Sequence, residues 1–259
     1  MRCNVALSGG GTRAIGHLGV LKALLEHGLC INALSGSSGG AIIGALLASG
    51  KSVDEAYELV MSTNFSALFS LTIGHSGFFS LTRGEKRLKE MLGYDLLEAL
   101  PIKLTVCAVA LEQGKIVYFD RGNLAKSVIA SSSIPPFMKP VRIEGVSYID
   151  GGIMNNLPLE PFLSESLPII GINVNPNTPM KKNSITGLTK RALFLQFYGN
   201  IESRKHHCSY YFEPPDIGAY SIYDTKSFER VFLLSYEWCK KELCYNKNYF
   251  QITQSEALE

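Results

Sequence analysis

The chain has little of what several functional classes require. Its six cysteines (Cys3, Cys30, Cys107, Cys208, Cys239 and Cys244) include no C-x-x-C pair. Metal-ligand spacing is therefore missing, and a chain of 259 residues needs no disulfide staples. Free thiols in a reducing compartment are the expectation. Basic residues number 25 against 23 acidic, a net charge of +2, with no basic block larger than pairs such as Lys181-Lys182 and Lys240-Lys241. That leaves no electrostatic footprint for nucleic acid. Apolar runs are short, 104–111 being interrupted by Thr105, and none approaches the roughly 18 residues of a membrane span. No signal-peptide core precedes the apolar stretch at 4–8, so a soluble, cytoplasmic protein is expected. Internal repeats, low-complexity tracts and linkers are also missing. With 46% hydrophobic residues to fill a core, one domain spanning 1–259 is the expectation.

What the sequence does contain is an alternation of short apolar strands and helical periods. Residues 4–7 read as a strand ending in Ser8-Gly9-Gly10-Gly11. From 13 to 27 the apolar positions Ile15, Leu18, Leu21, Leu24 and Leu25 fall at helical spacing. A second strand at 30–34 leads into a glycine-rich turn and an apolar stretch at 41–48. A helix apolar all round must be buried. This βαβ unit implies a parallel sheet covered on both faces. Further helices are expected at 53–61, 82–92 (opened by a capping box, Thr82 to Glu85), 124–130, 185–203 and 226–243. Further strands are expected at 104–111, 116–119, 141–143, 146–149, 167–174 and 210–212. The fold class is α/β: a three-layer α/β/α sandwich around a mainly parallel sheet.

Gly36-Ser37-Ser38-Gly39-Gly40 fits the G-x-S-x-G nucleophile elbow. Its glycines permit a tight strand-to-helix turn that exposes the Ser38 hydroxyl, and the helix that follows directs its positive end at an oxyanion there. A bare G-x-S-x-G string is a weak signal; between a buried strand and an apolar helix it is much stronger. The competing reading is a plain glycine-rich βα turn.

Gly9-Gly10-Gly11-Thr12-Arg13 ends the first strand with backbone N–H groups that can line an oxyanion hole, since glycine lets the main chain approach a substrate closely. Arg13 offers charge for a phosphate or support for the loop. The rival reading is the dinucleotide fingerprint G-x-G-x-x-A over Gly9, Gly11 and Ala14. That fingerprint expects an acid at the end of the next strand, where this chain has Ser35 and Gly36, so cofactor binding is the weaker reading.

A nucleophilic serine needs a base. Asp150 of Asp150-Gly151-Gly152 follows a strand, from which its carboxylate can project into a cleft. The alternative is a histidine, His206 or His207, in a Ser–Asp–His order. Their polar surroundings read as a solvated surface, while His17, His27 and His75 read as structural.

Taken in order, Gly9-Gly10-Gly11-Thr12-Arg13, Gly36-Ser37-Ser38-Gly39-Gly40, the Ala130-Ser131 to Ile134-Pro135 segment and Asp150-Gly151-Gly152 resemble the patatin-like phospholipases over roughly residues 4–175. The combination is far more specific than any one motif. The resemblance implies a Ser–Asp dyad, Ser38 as nucleophile and Asp150 as base, with an oxyanion hole at Gly10, Gly11 and Thr12. Arg13, Gly36, Gly39, Gly40, Gly151 and Gly152 become supports for substrate or loops. No cofactor and no metal are implied. Ala14 departs from the family, which usually has a glycine-type position there; its methyl group should bear on helix–strand packing. The resemblance does not extend past about residue 175, so substrate fit there stays open.

The implied reaction is hydrolysis of a lipid acyl ester, of the phospholipase A or lysophospholipase kind. An acyltransferase or thioesterase, and a lipid-binding protein with little turnover, are the rivals. The cluster Phe65, Leu68, Phe69, Leu71, Phe78, Phe79 and Leu81 reads evenly as a lid or transient membrane contact, or as core filling. The first makes the protein peripheral at a membrane. The sequence assigns no oligomeric state.

Overall fold

The computed structural model describes residues 1–64, 70–71, 79–80, 82–179 and 184–245. The first βαβ unit consists of β1 (Arg2–Leu7), α1 (Ile15–Glu26) and β2 (Cys30–Ser37), and α2 (Gly39–Ala48) follows at once. Every residue of β1 after Arg2 is buried, and all of these but Asn4 are apolar, as in a strand covered on both faces. Then come α3 (Val53–Met61), the short pair β3 (Ser70–Leu71) and β4 (Phe79–Ser80), α4 (Thr82–Leu92), β5 (Lys103–Ala110), β6 (Lys115–Phe119) and α5 (Leu124–Ser131). The remainder is β7 (Val141–Ile143), β8 (Val146–Asp150), β9 (Ile169–Ile172), α6 (Ile185–Glu202), β10 (Tyr210–Phe212) and α7 (Phe228–Tyr245).

The main sheet runs β10-β9-β1-β2-β5-β8-β7, with β6 also paired to β5. Its first five strands are parallel; β6, β7 and β8 join antiparallel. Pleating sorts the side chains: Cys3, Val5, Leu7 and Leu34 enter a large core with α1, α2, α3, α5 and α7, while Ala6 and Ala33 face a smaller one with Leu157, Phe162 and Ile201. The fold is an α/β sandwich whose second outer layer is thin, made of short turns between 151 and 162 and the end of α6. The part after 175 completes the sheet with β10, and α7 packs Val231, Phe232 and Cys239 into the large core.

Several boundaries differ from the sequence reading for local reasons. Strand β2 continues through Ser35, Gly36 and Ser37 because these pair with Thr105, Val106 and Cys107; tertiary pairing overrides poor strand propensity. Helix α1 starts at Ile15 because Gly11–Ala14 forms a 3-10 turn. The backbone of α4 starts at Thr82, and the expected Thr82–Glu85 capping box rests on side chains outside the described ones. A reciprocal capping box is formed at Ser52 and Glu55, which the sequence reading did not single out. Of the Phe-rich segment, only the backbone pairing of β3 with β4 is described. The lid-or-core question over Phe65, Leu68, Phe69, Phe78 and Leu81, and His75 with it, lies outside the described residues.

Candidate active site

The sheet register dictates the site. Residues 106 and 107 of β5 pair with β2 on one edge and with β6 on the other. Residues 108–110 pair with β6 and, opposite it, with β8. Strands β2 and β8 therefore share one edge of β5 and approach each other end to end. The last pair of β2 is Ser37 with Cys107, and the last of β8 is Asp150 with Ala108. Where the two strands meet, the chain of each turns away, and Ser38 faces Asp150.

Ser38 has φ 52° and ψ −124°, a left-handed backbone that costs a non-glycine residue about 1–3 kcal/mol and persists only where its surroundings over-determine it. Here they do. Its N–H donates to Ser131 Oγ at 2.8 Å, and Ser131 Oγ donates to the Cys107 carbonyl at 2.6 Å. Its carbonyl accepts from the N–H groups of Ala41 and Ile42 in the first turn of α2. Packing closes the elbow: a Cβ at Gly40 would lie 2.5 Å from the carbonyl oxygens of Leu7 and Ser8, and one at Gly36 would lie 2.6 Å from that of Gly40. The departure at Ala14 has a counterpart at Gly39, where an added Cβ would lie 2.7 Å from the Ala14 methyl. The first turn of α2 thus rests directly on the loop after β1.

Asp150 is 3% exposed. Its Oδ1 accepts from the Gly152 N–H at 2.8 Å and its own N–H donates to the Ser133 carbonyl at 3.0 Å. Burial pushes its carboxyl up from 3.8 to about 6, and hydrogen bonding from the Ser38 side chain and the Gly152 N–H works against that rise. Gly151 and Gly152 lie in the 3-10 turn that β8 feeds. A Cβ at Gly152 would lie 3.0 Å from Phe197 Cε1, so α6 sits directly on this turn. Asn200 of α6 ties it down, donating to the Gly152 carbonyl at 3.1 Å and accepting from Asn156 N–H at 2.9 Å.

The loop after β1 lies against the same corner: a Cβ at Gly9 would lie 3.0 Å from Ser38 Cβ. Its outer contacts are fixed by Gly9 N–H to the Asn156 carbonyl, Asn175 Nδ2 to the Gly9 carbonyl, and His17 Nε2 to the Ser8 carbonyl. The three residues assigned to an oxyanion hole separate here. Gly10 and Gly11 N–H find no acceptor among the described residues, whereas Thr12 N–H donates to the Ile222 carbonyl at 2.9 Å. Arg13 donates from Nε to the Tyr220 carbonyl at 2.7 Å and from Nη2 to that of Gly218 at 3.2 Å, which makes it a clamp on the 218–222 loop.

The histidines stand apart. His206 and His207 are exposed in a 3-10 turn after α6. His17 is fully buried, which pushes its imidazole down to about 4. Among the described residues none hydrogen-bonds to Ser38.

Sequence reasoning did not single out Ser131 as a brace of the elbow, nor Asn155, Asn156 and Asn200. Asn155 is buried and donates to Tyr118 Oη at 2.9 Å and to Glu160 Oε2 at 2.6 Å. The available signal was a pair of asparagines, three residues beyond Gly152, in an otherwise apolar stretch. Tyr223 also went unnoticed; partial burial of its phenol raises its pKa, with the charge of Asp150 adding to the rise, and its ring lies 6.3 Å from that of Phe137, both largely exposed at the rim.

Comparisons with known proteins bear on the fold and the family. Among solved structures, VipD from Legionella pneumophila superposes with a TM-score of 0.63 at 14% identity, covering 94% of this chain and 67% of that one. The ExoU–SpcU complex from the type III secretion system of Pseudomonas aeruginosa gives 0.50 at 17% identity, covering 96% and 52%; both show the fold. Among curated sequences, an uncharacterised NTE family protein of Mycobacterium tuberculosis is 34% identical over 177 residues, 67% of this chain and 47% of that protein. Lysophospholipase NTE1 of Candida albicans is 22% identical over 261 residues, 88% of this chain and 19% of its own length. The chain thus spans about half the length of that Mycobacterium tuberculosis relative. The family model of patatin-like phospholipases matches residues 5–163, and the chain belongs to that family.

Proposed function

We propose that the chain hydrolyses carboxylic esters of lipids through an acyl-enzyme on Ser38, with Asp150 as the only side-chain base. The observation that carries this reading is the end-to-end meeting of β2 and β8, which sets a strained serine against a buried carboxyl whose pKa is raised to about 6. An ordinary aspartate, near 3.9, is a weak base for an alcohol; one lifted to about 6 is better matched to neutral pH and is still mostly ionised there.

In the proposed cycle Asp150 takes the Ser38 hydroxyl proton as Oγ attacks the acyl carbon. The tetrahedral oxyanion is held by the N–H groups of Gly10 and Gly11, by that of Gly39 beside them, and by the positive end of α2. Thr12 serves by fixing the loop, since its N–H is already bound. The leaving alcohol departs with the proton from Asp150. Water then loses a proton to Asp150, attacks the ester of Ser38, and the fatty acid leaves as Ser38 is reprotonated. Each of the three donors is worth about 10²–10³ in rate by analogy with other oxyanion holes.

Family membership supports a lipid as the acyl donor, and the relative bearing the name lysophospholipase supports a glycerolipid with one chain. We take residues 1–259 as one catalytic unit, because β9, β10 and α7 complete the sheet and core that hold the site.

The test is hydrolysis of p-nitrophenyl esters from butyrate to palmitate by wild type, Ser38→Ala and Asp150→Ala. Loss of turnover in both variants, with unfolding midpoints kept, is the expected result. Survival in Asp150→Ala would give the base role to another group. A wild type inert on every ester would leave a lipid-binding protein, and transfer of the acyl group to an added alcohol in preference to water would make it a transferase.

A further inference from the structure

The peptide between Gly9 and Gly10 has an orientation that its own residues do not decide. A peptide turns over by rotation about ψ of the residue before it and φ of the residue after it. Side chains resist that rotation, but both flanking residues here are glycine, which takes either sign of φ. The peptide is trans, so its C=O and N–H point in opposite directions. Whatever holds the Gly9 carbonyl therefore aims the Gly10 N–H.

Asn175 is the holder. It is buried, and its Nδ2 donates to the Gly9 carbonyl. Its amide is oriented from behind by Asn173, whose Oδ1 accepts from Asn175 N–H at 3.0 Å and from Asn175 Nδ2 at 3.4 Å. Asn173 Nδ2 donates in turn to Glu213 Oε2 at 2.7 Å and to Tyr211 Oη at 3.0 Å. A carboxylate and a main-chain carbonyl only accept, so the two ends of this relay fix which edge of each amide faces which way. Strands β1, β9 and β10 are adjacent and parallel, and their ends bring Gly9, Asn173, Asn175 and Glu213 to one edge of the sheet. Residue 10 is seated on the same segment: a Cβ at Gly10 would lie 2.5 Å from Val174 Cγ2 and 3.4 Å from Asn175 Oδ1. The preceding peptide is held separately. The Ser8 carbonyl accepts from His17 Nε2 at 2.8 Å, and Gly9 N–H donates to the Asn156 carbonyl at 3.1 Å. Both of its polar groups are used, whereas Gly10 N–H has no acceptor among the described residues.

We propose that Asn175 is a positioning residue for ester hydrolysis: by holding the Gly9 carbonyl it keeps the Gly10 N–H turned to the oxyanion formed on the Ser38 adduct. The proposal deepens the lipid-hydrolase reading and rests on it. As Ser38 Oγ bonds to the acyl carbon, the carbonyl π pair moves onto oxygen, and that charge meets an N–H already in place. Were the peptide turned over, the Gly9 carbonyl would face the oxyanion and repel it. Asn173, Asn175 and Glu213 all lie outside the stretch 5–163 matched by the family model.

The test compares wild type with Asn175→Ala, which removes the donor, and Asn175→Asp, which sets acceptors of the same shape beside the Gly9 carbonyl. The readouts are kcat and KM on p-nitrophenyl butyrate and inhibition by a trifluoromethyl ketone, whose adduct with Ser38 carries an oxyanion like that of the tetrahedral intermediate. Rates are counted per serine titrated to completion by a fluorophosphonate, so unfolded protein does not enter. The expected result is a fall in kcat of about tenfold or more in Asn175→Ala and about a hundredfold in Asn175→Asp, with KM within about threefold. The ketone should bind more weakly by the factor that kcat/KM loses. The acid limb of kcat should stay at about 6, because Asp150 is untouched. Asn173→Ala, one step removed from the loop, should show the same pattern at smaller size, and it carries the test if both changes at 175 prevent folding. Folded variants as fast as wild type, or a loss of kcat with ketone affinity unchanged, would overturn the proposal. If wild type meanwhile cleaves the ester and needs Ser38 and Asp150, the hydrolase reading stands without it. A wild type inert on every ester would sink both.

Discussion

Helices α2 and α6 are both rich in apolar residues, and they occupy opposite settings. Within α2 all residues are buried except half-buried Ile42, whereas α6 buries Ile201 alone. Contacts on every side of α2 hold the serine before it in a backbone conformation that serine does not choose. Contacts on one side of α6 leave its outer residues Ile185, Leu188, Leu193 and Leu195 exposed. Apolar content thus serves two ends here: in one helix it supports strain, and in the other it presents surface.

The largest expected break of this contrast is at Gly40. A Cβ there meets two carbonyl oxygens of the β1 end, and neither can move without disrupting the sheet. Gly40→Ala should destabilise by about 3 kcal/mol or more, read as a fall in urea midpoint at unchanged slope. The matched change on α6, Leu188→Ser, should alter the same midpoint by no more than about 0.5 kcal/mol.

Next in size is the pH response of Asp150. Its folded pKa, about 6, lies above the ordinary 3.8, so between those values the folded protein holds a proton that the unfolded chain releases. Stability is therefore full below the ordinary value, declines as pH rises towards 6, and stays level above it. The difference amounts to at most about 3 kcal/mol. Asp150→Asn should lack this decline, so its unfolding midpoint relative to wild type should be higher at about pH 7 than at about pH 4. Activity runs the other way. The base must be ionised, so turnover should fall as pH drops through about 6.

A smaller effect is expected at Ser131, whose hydroxyl accepts from Ser38 N–H and donates to the Cys107 carbonyl. Ser131→Ala leaves a buried donor and a buried acceptor unmatched, for a loss of about 1–3 kcal/mol. Because it loosens the elbow, kcat should fall further than the affinity for substrate, a split that steady-state kinetics would resolve.

Much of this corner was legible in the sequence because close packing leaves few residue choices. Only glycine fits at 36 and 40, and a serine between them before an apolar helix has few other meanings. The β1–α1–β2–α2 order followed from hydrophobic period. What escaped was set by pairing between distant segments. Nothing local shows that β2 extends to Ser37, that β8 ends opposite it, or that Ile222 occupies the Thr12 N–H. The role of Asn200 was equally hidden, since it depends on α6 returning over the Gly152 turn. Helix α6 was expected at nearly its observed length, but its exposure was not, because a helix at 3.6-residue period says nothing of how thin the layer around it will be.

The most direct test of the account is intact-mass and peptide mapping after reaction with a fluorophosphonate, which phosphonylates activated serines with loss of fluoride. The account predicts one adduct, on Ser38, formed rapidly at neutral pH, slowed as pH falls below about 6 and slowed at least a hundredfold (roughly 10² or more) in Asp150→Asn. An adduct on another serine, or labelling of Ser38 at an undiminished rate without the Asp150 carboxylate, would contradict it.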